Sequence, residues 1–226
     1  LTELEIEMIN KATKVFHEAG KKLVVVLNIG GVIETASWNE TPDAILLAWQ
    51  GGQEGGNSVA DLLTGAVNPS GKLPMTFPIN LNDHASNANF PQNGAPMQMT
   101  DMLFGKDEVP EAEKVKDVDY TNYDEGVYVG YRHFDKAEMQ VSYPFGYGLS
   151  YTTFSYDTLL TEVRNDTIFA SVNITNIGEM AGKEVVQLYF AKANSTIDRP
   201  IQELKEFGKT DILEPGASQE LTFAIP

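Results

Sequence analysis

Leu23-Val24-Val25-Val26-Leu27 is an unbroken run of branched aliphatic residues of strand length, with no polar position to face water. Such a run reads as a strand covered on both faces, as in a parallel sheet flanked by helices. Ala44-Ile45-Leu46-Leu47-Ala48-Trp49 repeats the pattern. Ahead of them, residues 2 to 19 read as a helix, because Leu4, Met8, Ala12, Val15, Phe16 and Ala19 recur at three- and four-residue spacing and form one apolar stripe. Thr2 with Glu5 makes a capping box, and Gly20 is a natural stop. A short helical stretch to about Trp38 joins the two strands, and Gly51-Gly52 turns the chain into a helix from about Gln53 to Thr64, ended by Gly65. Strands alternating with helices in this order imply α/β architecture with right-handed crossovers.

Asn68-Pro69-Ser70-Gly71 is a turn, and the two prolines between Lys72 and Pro78 restrict that stretch to an edge strand or a covering strap. From Ile79 to about Asp124 the chain is rich in Asn and Pro and then, from Lys106 to Asp119, in charge. Long aperiodic segments are linkers or functional loops; residues 79–150 read as an interdomain connection. Beyond it the period becomes two. Ile168, Ala170, Val172 and Ile174 alternate with more polar neighbours, as do Leu221, Phe223 and Ile225. Turn signals at Asn165-Asp166, Asn176-Ile177-Gly178 and Glu214-Pro215-Gly216 separate the runs. The fold class is therefore α/β plus all-β, with residues 1–78 in the α/β part and residues 151–226 in an antiparallel sandwich. About five strands are counted after residue 151, against the seven or so of an immunoglobulin-like sandwich. The last strands are expected beyond Pro226, or on a second polypeptide that covers the open inner face.

Composition excludes several function classes. With 16 Lys plus Arg against 32 Asp plus Glu, the formal charge of −16 repels phosphate backbones and anionic lipid, so neither nucleic acid nor membrane is an expected partner. No apolar run approaches the roughly 20 residues of a membrane span. The first residues lack the basic and apolar regions of a signal peptide, so any targeting signal is expected outside this sequence. The absence of Cys removes disulfides and thiolate chemistry. Asn39, Asn165, Asn173 and Asn194 open N-x-[ST] triplets, which arise readily by chance in a chain this rich in Asn and Thr and carry no weight.

Three segments resemble one known family. Trp49-Gln50-Gly51-Gly52-Gln53-Glu54-Gly55-Gly56, continuing through Ala60-Asp61-Leu62-Leu63-Thr64-Gly65 and Asn68-Pro69-Ser70-Gly71-Lys72-Leu73-Pro74-Met75-Thr76-Phe77-Pro78, resembles the second domain of glycoside hydrolase family 3, β-glucosidase type. Tyr123 to Arg132 and Phe145 to Tyr151 resemble the segments that lead into that family's fibronectin type III-like domain. The resemblance implies that residues 1–78 end an α/β sandwich domain, that a truncated fibronectin type III-like domain follows, and that a (β/α)8 barrel precedes them. It implies retaining hydrolysis of terminal non-reducing β-D-glucosyl residues by two carboxyls about 5 to 5.5 Å apart. One is an Asp of the barrel and the other a loop Glu ahead of the helix at residues 2 to 19, so this chain alone is expected to be inactive. The expected partners are a β-glucoside or oligosaccharide and the barrel, which would cover the outer side of that helix. No cofactor is expected, and the resemblance favours a periplasmic or secreted setting. A stand-alone fibronectin-like module that binds carbohydrate or protein is the alternative reading.

Within the chain, no residue is assigned a catalytic, substrate-binding or metal-binding role. Glu54 stands in a Gly-rich turn after a parallel strand, where α/β sheets bind ligands, but a Glu there also suits the helix dipole and can cap free amides. The glycines of that turn lack the spacing of a phosphate loop. His17, His84 and His133 are far apart in sequence, with His133 expected in a strand. Asp124 and Glu125, if in a strand, would point to opposite faces. Tyr143, Phe145, Tyr147 and Tyr151 suit a sugar-stacking platform, though a hydrophobic seam between domains explains them with fewer assumptions.

Overall fold

The computed structural model describes residues 1–89 and 122–226, and the charged stretch Lys106 to Asp119 lies outside the described residues. Helix α1 (Glu3–Glu18) starts at the expected capping box. The Glu5 N–H donates to Thr2 Oγ1 at 3.3 Å, and Glu5 Oε2 accepts the Thr2 N–H at 2.7 Å. Leu4 and Met8 are 75% and 62% exposed and Val15 and Phe16 are exposed too, so the broad apolar stripe faces outward. The helix packs instead through Ile6, Ile9 and Thr13, whose hydroxyl is satisfied by the Ile9 carbonyl at 2.8 Å. Both faces have helical period, and only the tertiary contact decides which is buried.

Strands β1 (Val24–Leu27) and β2 (Ala44–Leu47) pair in parallel, Val24 opposite Ala44 and Leu27 opposite Leu47. Val25, Leu27, Ile45 and Leu47 join Ile9 and Trp38 in one core. The expectation of cover on both faces is not met among the described residues, since Val24 and Val26 on the opposite face are exposed. The short helical stretch expected before β2 is only a hydrogen-bonded turn at residues 36–40, in which Trp38 N–H and Asn39 N–H both donate to the Thr35 carbonyl. Pro42 explains this, because it disfavours helical backbone at Thr41. Helix α2 (Gly55–Leu63) ends at Gly65, whose φ of 76° suits glycine.

Asp43 knits α1 to the start of β2. Its carboxylate accepts from Lys22 Nζ (2.7 Å), the Leu23 N–H (2.8 Å) and His17 Nε2 (2.8 Å), and these partners, Lys22 first, hold its acid well below the usual carboxylate range. A depressed folded-state pKa contributes stability that is present above the unfolded value of about 4 and is lost as pH falls below it. Asp43→Asn is therefore expected to lose less stability than the parent between about pH 5 and about pH 3, read from urea midpoints. Equal losses would refute this role.

The extended strap becomes the two-residue strand β3 (Phe77–Pro78), antiparallel to β4 (Val141–Tyr143). The described part of the expected connection thus holds helix α3 (Tyr131–Lys136) and a strand that pairs back onto the strap. Ser142 Oγ shares a 2.7 Å hydrogen bond with Thr35 Oγ1 and accepts from Asn39 Nδ2 at 3.2 Å, fixing β4 to the Trp38 turn.

Six strands follow where about five were counted: β5 (Phe154–Tyr156), β6 (Leu160–Arg164), β7 (Thr167–Asn176), β8 (Val185–Phe190), β9 (Glu203–Lys209) and β10 (Ser218–Ile225). β7 pairs with β10 on one side and with β5 and β6 on the other, while β8 and β9 form a second sheet. Between the layers lie Val172, Ile174, Val186, Leu213 and Phe223. Every residue of β6 is exposed, so it carries no inward alternation. Asn165 and Asp166, both at positive φ (48° and 58°), make the tight β6–β7 turn with the backbone that two-residue hairpins require.

Candidate functional site

The carboxyl ends of β1 and β2 are where a parallel α/β layer presents its ligand-facing loops. Pairing continues one step past the strands, with the Ala48 N–H donating to the Leu27 carbonyl at 2.9 Å, and then Trp49 turns sharply with φ of 53°. The Gln50 side chain lies back over Gly30, so close that a β-carbon there would stand 2.8 Å from Gln50 Nε2. The Gly55 N–H reaches the Gly52 carbonyl at 3.0 Å as α2 begins.

Glu54 occupies the N-cap position of α2, yet its side chain caps no backbone amide, contrary to expectation. The carboxylate instead takes the side-chain amide of Asn57 at 2.5 Å, and the Glu54 carbonyl accepts from both N–H and Oγ of Ser58. Its backbone, at φ −94° and ψ 13°, lies outside the extended region from which N-cap side chains reach back.

The other singled-out residues disperse. His17 serves Asp43. His133 stands on α3 rather than in a strand; its Nε2 meets the Asp83 carbonyl at 3.0 Å, and it and His84 both lie against the Phe134 ring. Burial, and then the proximity of His133, push the His84 imidazole below its ordinary pKa. Among the described residues no three His, Cys, Asp or Glu side chains gather in a way that could hold a metal ion. Asp124 and Glu125 lie in a turn rather than a strand, closed by the Tyr128 N–H on the Glu125 carbonyl at 3.0 Å and using Gly126 at φ 56°.

The aromatic run packs as a seam. Phe77 meets Tyr143 edge-on at 6.3 Å, Tyr143 meets Tyr147 at 5.1 Å, and Tyr131 meets both Phe145 (5.0 Å) and Tyr189 of the sandwich (5.8 Å). The Tyr151 hydroxyl donates to the Leu62 carbonyl at the end of α2, and its N–H to Asn68 Oδ1. Burial and the neighbouring Tyr131 and Asp135 push the Tyr189 phenol up to about 12.

Sequence reasoning missed the polar half of this junction. Lys72 Nζ donates to the Gly148 carbonyl at 2.8 Å and pairs at 3.1 Å with Glu184, a buried carboxylate that also accepts the Tyr156 hydroxyl at 2.9 Å. Asn68 accepts from Ser150 Oγ and donates to the Ala181 carbonyl. These residues sit in irregular segments or at strand ends, where no periodicity marks them.

A parallel α/β layer riveted through aromatic rings and a buried ion pair to an antiparallel sandwich defines the class: two consecutive domains that share one junction. The glycosyl hydrolase family 3 C-terminal domain matches residues 1–151 and a fibronectin type III-like domain matches residues 184–226. The chain belongs to glycosyl hydrolase family 3. It is 39% identical over 95% of its length to β-glucosidase A of Butyrivibrio fibrisolvens, and 38% identical over 96% to thermostable β-glucosidase B of Acetivibrio thermocellus. The crystallised β-glucosidase 3B of Thermotoga neapolitana, in complex with α-D-glucose, superposes over the whole chain with a TM-score of 0.86 at 43% identity, covering 29% of that enzyme. The chain spans about a quarter of the length of the curated relatives it matches, 25% and 26% for the two named.

Proposed function

We propose that this chain is the carboxy-terminal, cleft-completing part of a retaining, exo-acting β-glucosidase that hydrolyses terminal non-reducing β-D-glucosyl residues. The observation that carries the proposal is the match along almost the whole chain to proteins named β-glucosidase, of which it makes up only about a quarter. The nucleophile and the acid/base are assigned to polypeptide outside this chain, as the family resemblance implies. Two apolar surfaces support a further body of protein: the outward stripe of α1 and the exposed face of β1 at Val24 and Val26. Contiguous apolar patches on soluble proteins mark places where other protein packs. The substrate is a β-glucoside or oligosaccharide, no cofactor enters the reaction, and the setting is periplasmic or secreted. Among the described residues no helix is long and apolar enough to cross a membrane.

The test is hydrolysis of a nitrophenyl β-glucoside. The chain alone is expected to give no turnover, because a retaining reaction without nucleophile and acid has no route to the glycosyl-enzyme. The longer protein is expected to hydrolyse the substrate with retained configuration. Retained-configuration turnover by the pure chain would overturn the assignment of the carboxylates. Binding of oligosaccharide by the pure chain, with no hydrolysis by the longer protein, would favour the stand-alone binding module.

Glu54→Gln in the longer protein is expected to keep kcat within about threefold, since the carboxylate is spent on the exposed Asn57 amide. A hundredfold fall reversed by azide would instead make Glu54 the acid/base.

A further inference from the structure

Among the described residues, the Thr76 hydroxyl is buried without a hydrogen-bond partner, in a residue that is only 3% exposed. A hydroxyl left unpaired away from water is destabilising, and nearly all buried polar groups are paired with protein or with ordered water. Thr76 stands just before β3 and lines a cavity of about 110 Å³ with Tyr131 and Asp135 of α3, Phe145 of the aromatic run, Tyr189 of β8 and Gln202 at the approach to β9. Apolar cavities stay dry, whereas a cavity holds water where it has room and offers two to four polar partners. This one has both. Its volume is well above the roughly 30 Å³ that one water takes up in the liquid. The Tyr131 hydroxyl oxygen accepts the Leu204 N–H at 2.8 Å, which leaves the phenol proton to donate. Asp135 Oδ2 accepts from Gln202 Nε2 at 2.9 Å, which leaves Oδ1 for a second donor. The Tyr189 hydroxyl is already turned to Gln187 Oε1 at 2.7 Å.

We propose that this cavity is a hydration site at the junction of the two domains: a bound water accepts a hydrogen bond from the Thr76 hydroxyl and donates one to the Asp135 carboxylate. Because Asp135 is held in turn by Gln202, the water completes a chain of hydrogen bonds from the strap through α3 to the sandwich. Such bridges are nearly as favourable as direct bonds. The aromatic seam and the Lys72–Glu184 pair join the domains directly, and this third contact joins them through water. The inference concerns the junction and does not depend on the glucosidase reading.

Thr76→Val keeps the shape of the side chain and removes its hydroxyl, so the sign of its effect is diagnostic. With a water bound to Thr76, the urea midpoint read by Trp fluorescence is expected to fall by about 0.3 to 1 M. If the hydroxyl faces a dry cavity instead, valine relieves it; an unchanged or raised midpoint overturns the proposal. Crystal structures of the chain and of the variant give the second reading. Density for a water within about 3.2 Å of both Thr76 Oγ1 and Asp135 Oδ1 is expected in the parent and is expected to be lost in Thr76→Val. A parent map with no water at Thr76, or the same water in place in the variant, overturns the proposal. Should Thr76→Val fail to fold, the parent map still decides, and Thr76→Ser, which keeps the hydroxyl, is expected to keep the water.

Discussion

Replacing Asn176 by Ala is expected to destabilise the sandwich by about 3 to 5 kcal/mol, among the largest costs of any single change in this chain. Asn176 ends β7 fully buried, with every hydrogen-bonding position of its amide in use. Its Oδ1 accepts from Thr152 Oγ1 at 2.7 Å and from the Gly178 N–H at 3.1 Å. Its Nδ2 donates to the carbonyls of Met180 at 2.9 Å and Leu213 at 2.7 Å. Truncation leaves those four partners facing a void, each orphan worth roughly 1 to 3 kcal/mol where water cannot reach it, with partial relaxation keeping the sum below simple addition. Asn176→Asp is no remedy, because it sets a charged oxygen against two carbonyls. Thr152→Val removes one of the four bonds and is expected to cost about 1 kcal/mol. Both tryptophans lie in the α/β part, so the strand signal in circular dichroism follows the sandwich while Trp fluorescence follows its neighbour. An Asn176→Ala midpoint within about 1 kcal/mol of the parent would mean the four contacts are replaceable.

Asn176 also shows where the sequence stops being informative. Its place in an Asn-Ile-Gly turn signal was legible, because turn chemistry is local: the Gly178 N–H on its side-chain oxygen is a contact two residues away. Its bond to the Leu213 carbonyl spans 37 residues, and no window reveals that. The same division runs through the fold. The Thr2–Glu5 capping box, the parallel pair β1–β2, the stop at Gly65 and the alternation of β7 depend on neighbours in sequence and were read correctly. The helix at Tyr131–Lys136 depends on what packs against it, and stands where a strand is expected at His133; which face of α1 is buried has no local mark either.

The junction divides in the same way. Its rings were legible as a group, because Tyr143, Phe145, Tyr147 and Tyr151 crowd into nine residues. Which ring meets which was not, nor was the Lys72–Glu184 pair, whose members are 112 positions apart. Burial of Glu184 means that removing Lys72 alone leaves an uncompensated carboxylate, so the pair fixes geometry more than it adds stability.

The second large effect belongs to Trp38. Its expected helix reduced to one turn, yet the indole fills the centre of the α/β core at 1% exposure, against Ile9 and Leu27 and near Ile29, Ile33 and Ile45. Its Nε1–H donates to the Glu34 carbonyl at 3.0 Å, which fixes the ring plane. Trp38→Ala is expected to cost about 3 to 5 kcal/mol, because the cavity left in so small a layer is bounded by a two-stranded sheet and a single helix that cannot close on it without breaking their own contacts. Trp38→Phe keeps most of the buried ring and loses the hydrogen bond, for about 1 to 2 kcal/mol. With Trp38 replaced, Trp49 is the remaining tryptophan, and its fluorescence reports the unfolding of the same layer in urea. The midpoint seen through Trp49 is expected to fall much further than the sandwich midpoint seen by circular dichroism, since Trp38 lies in one core and β7, β8 and β10 in the other. Equal shifts would show that the Lys72–Glu184 junction makes the two cores unfold as one unit. A Trp38→Ala cost below about 1 kcal/mol would show that the α/β layer does not depend on its indole.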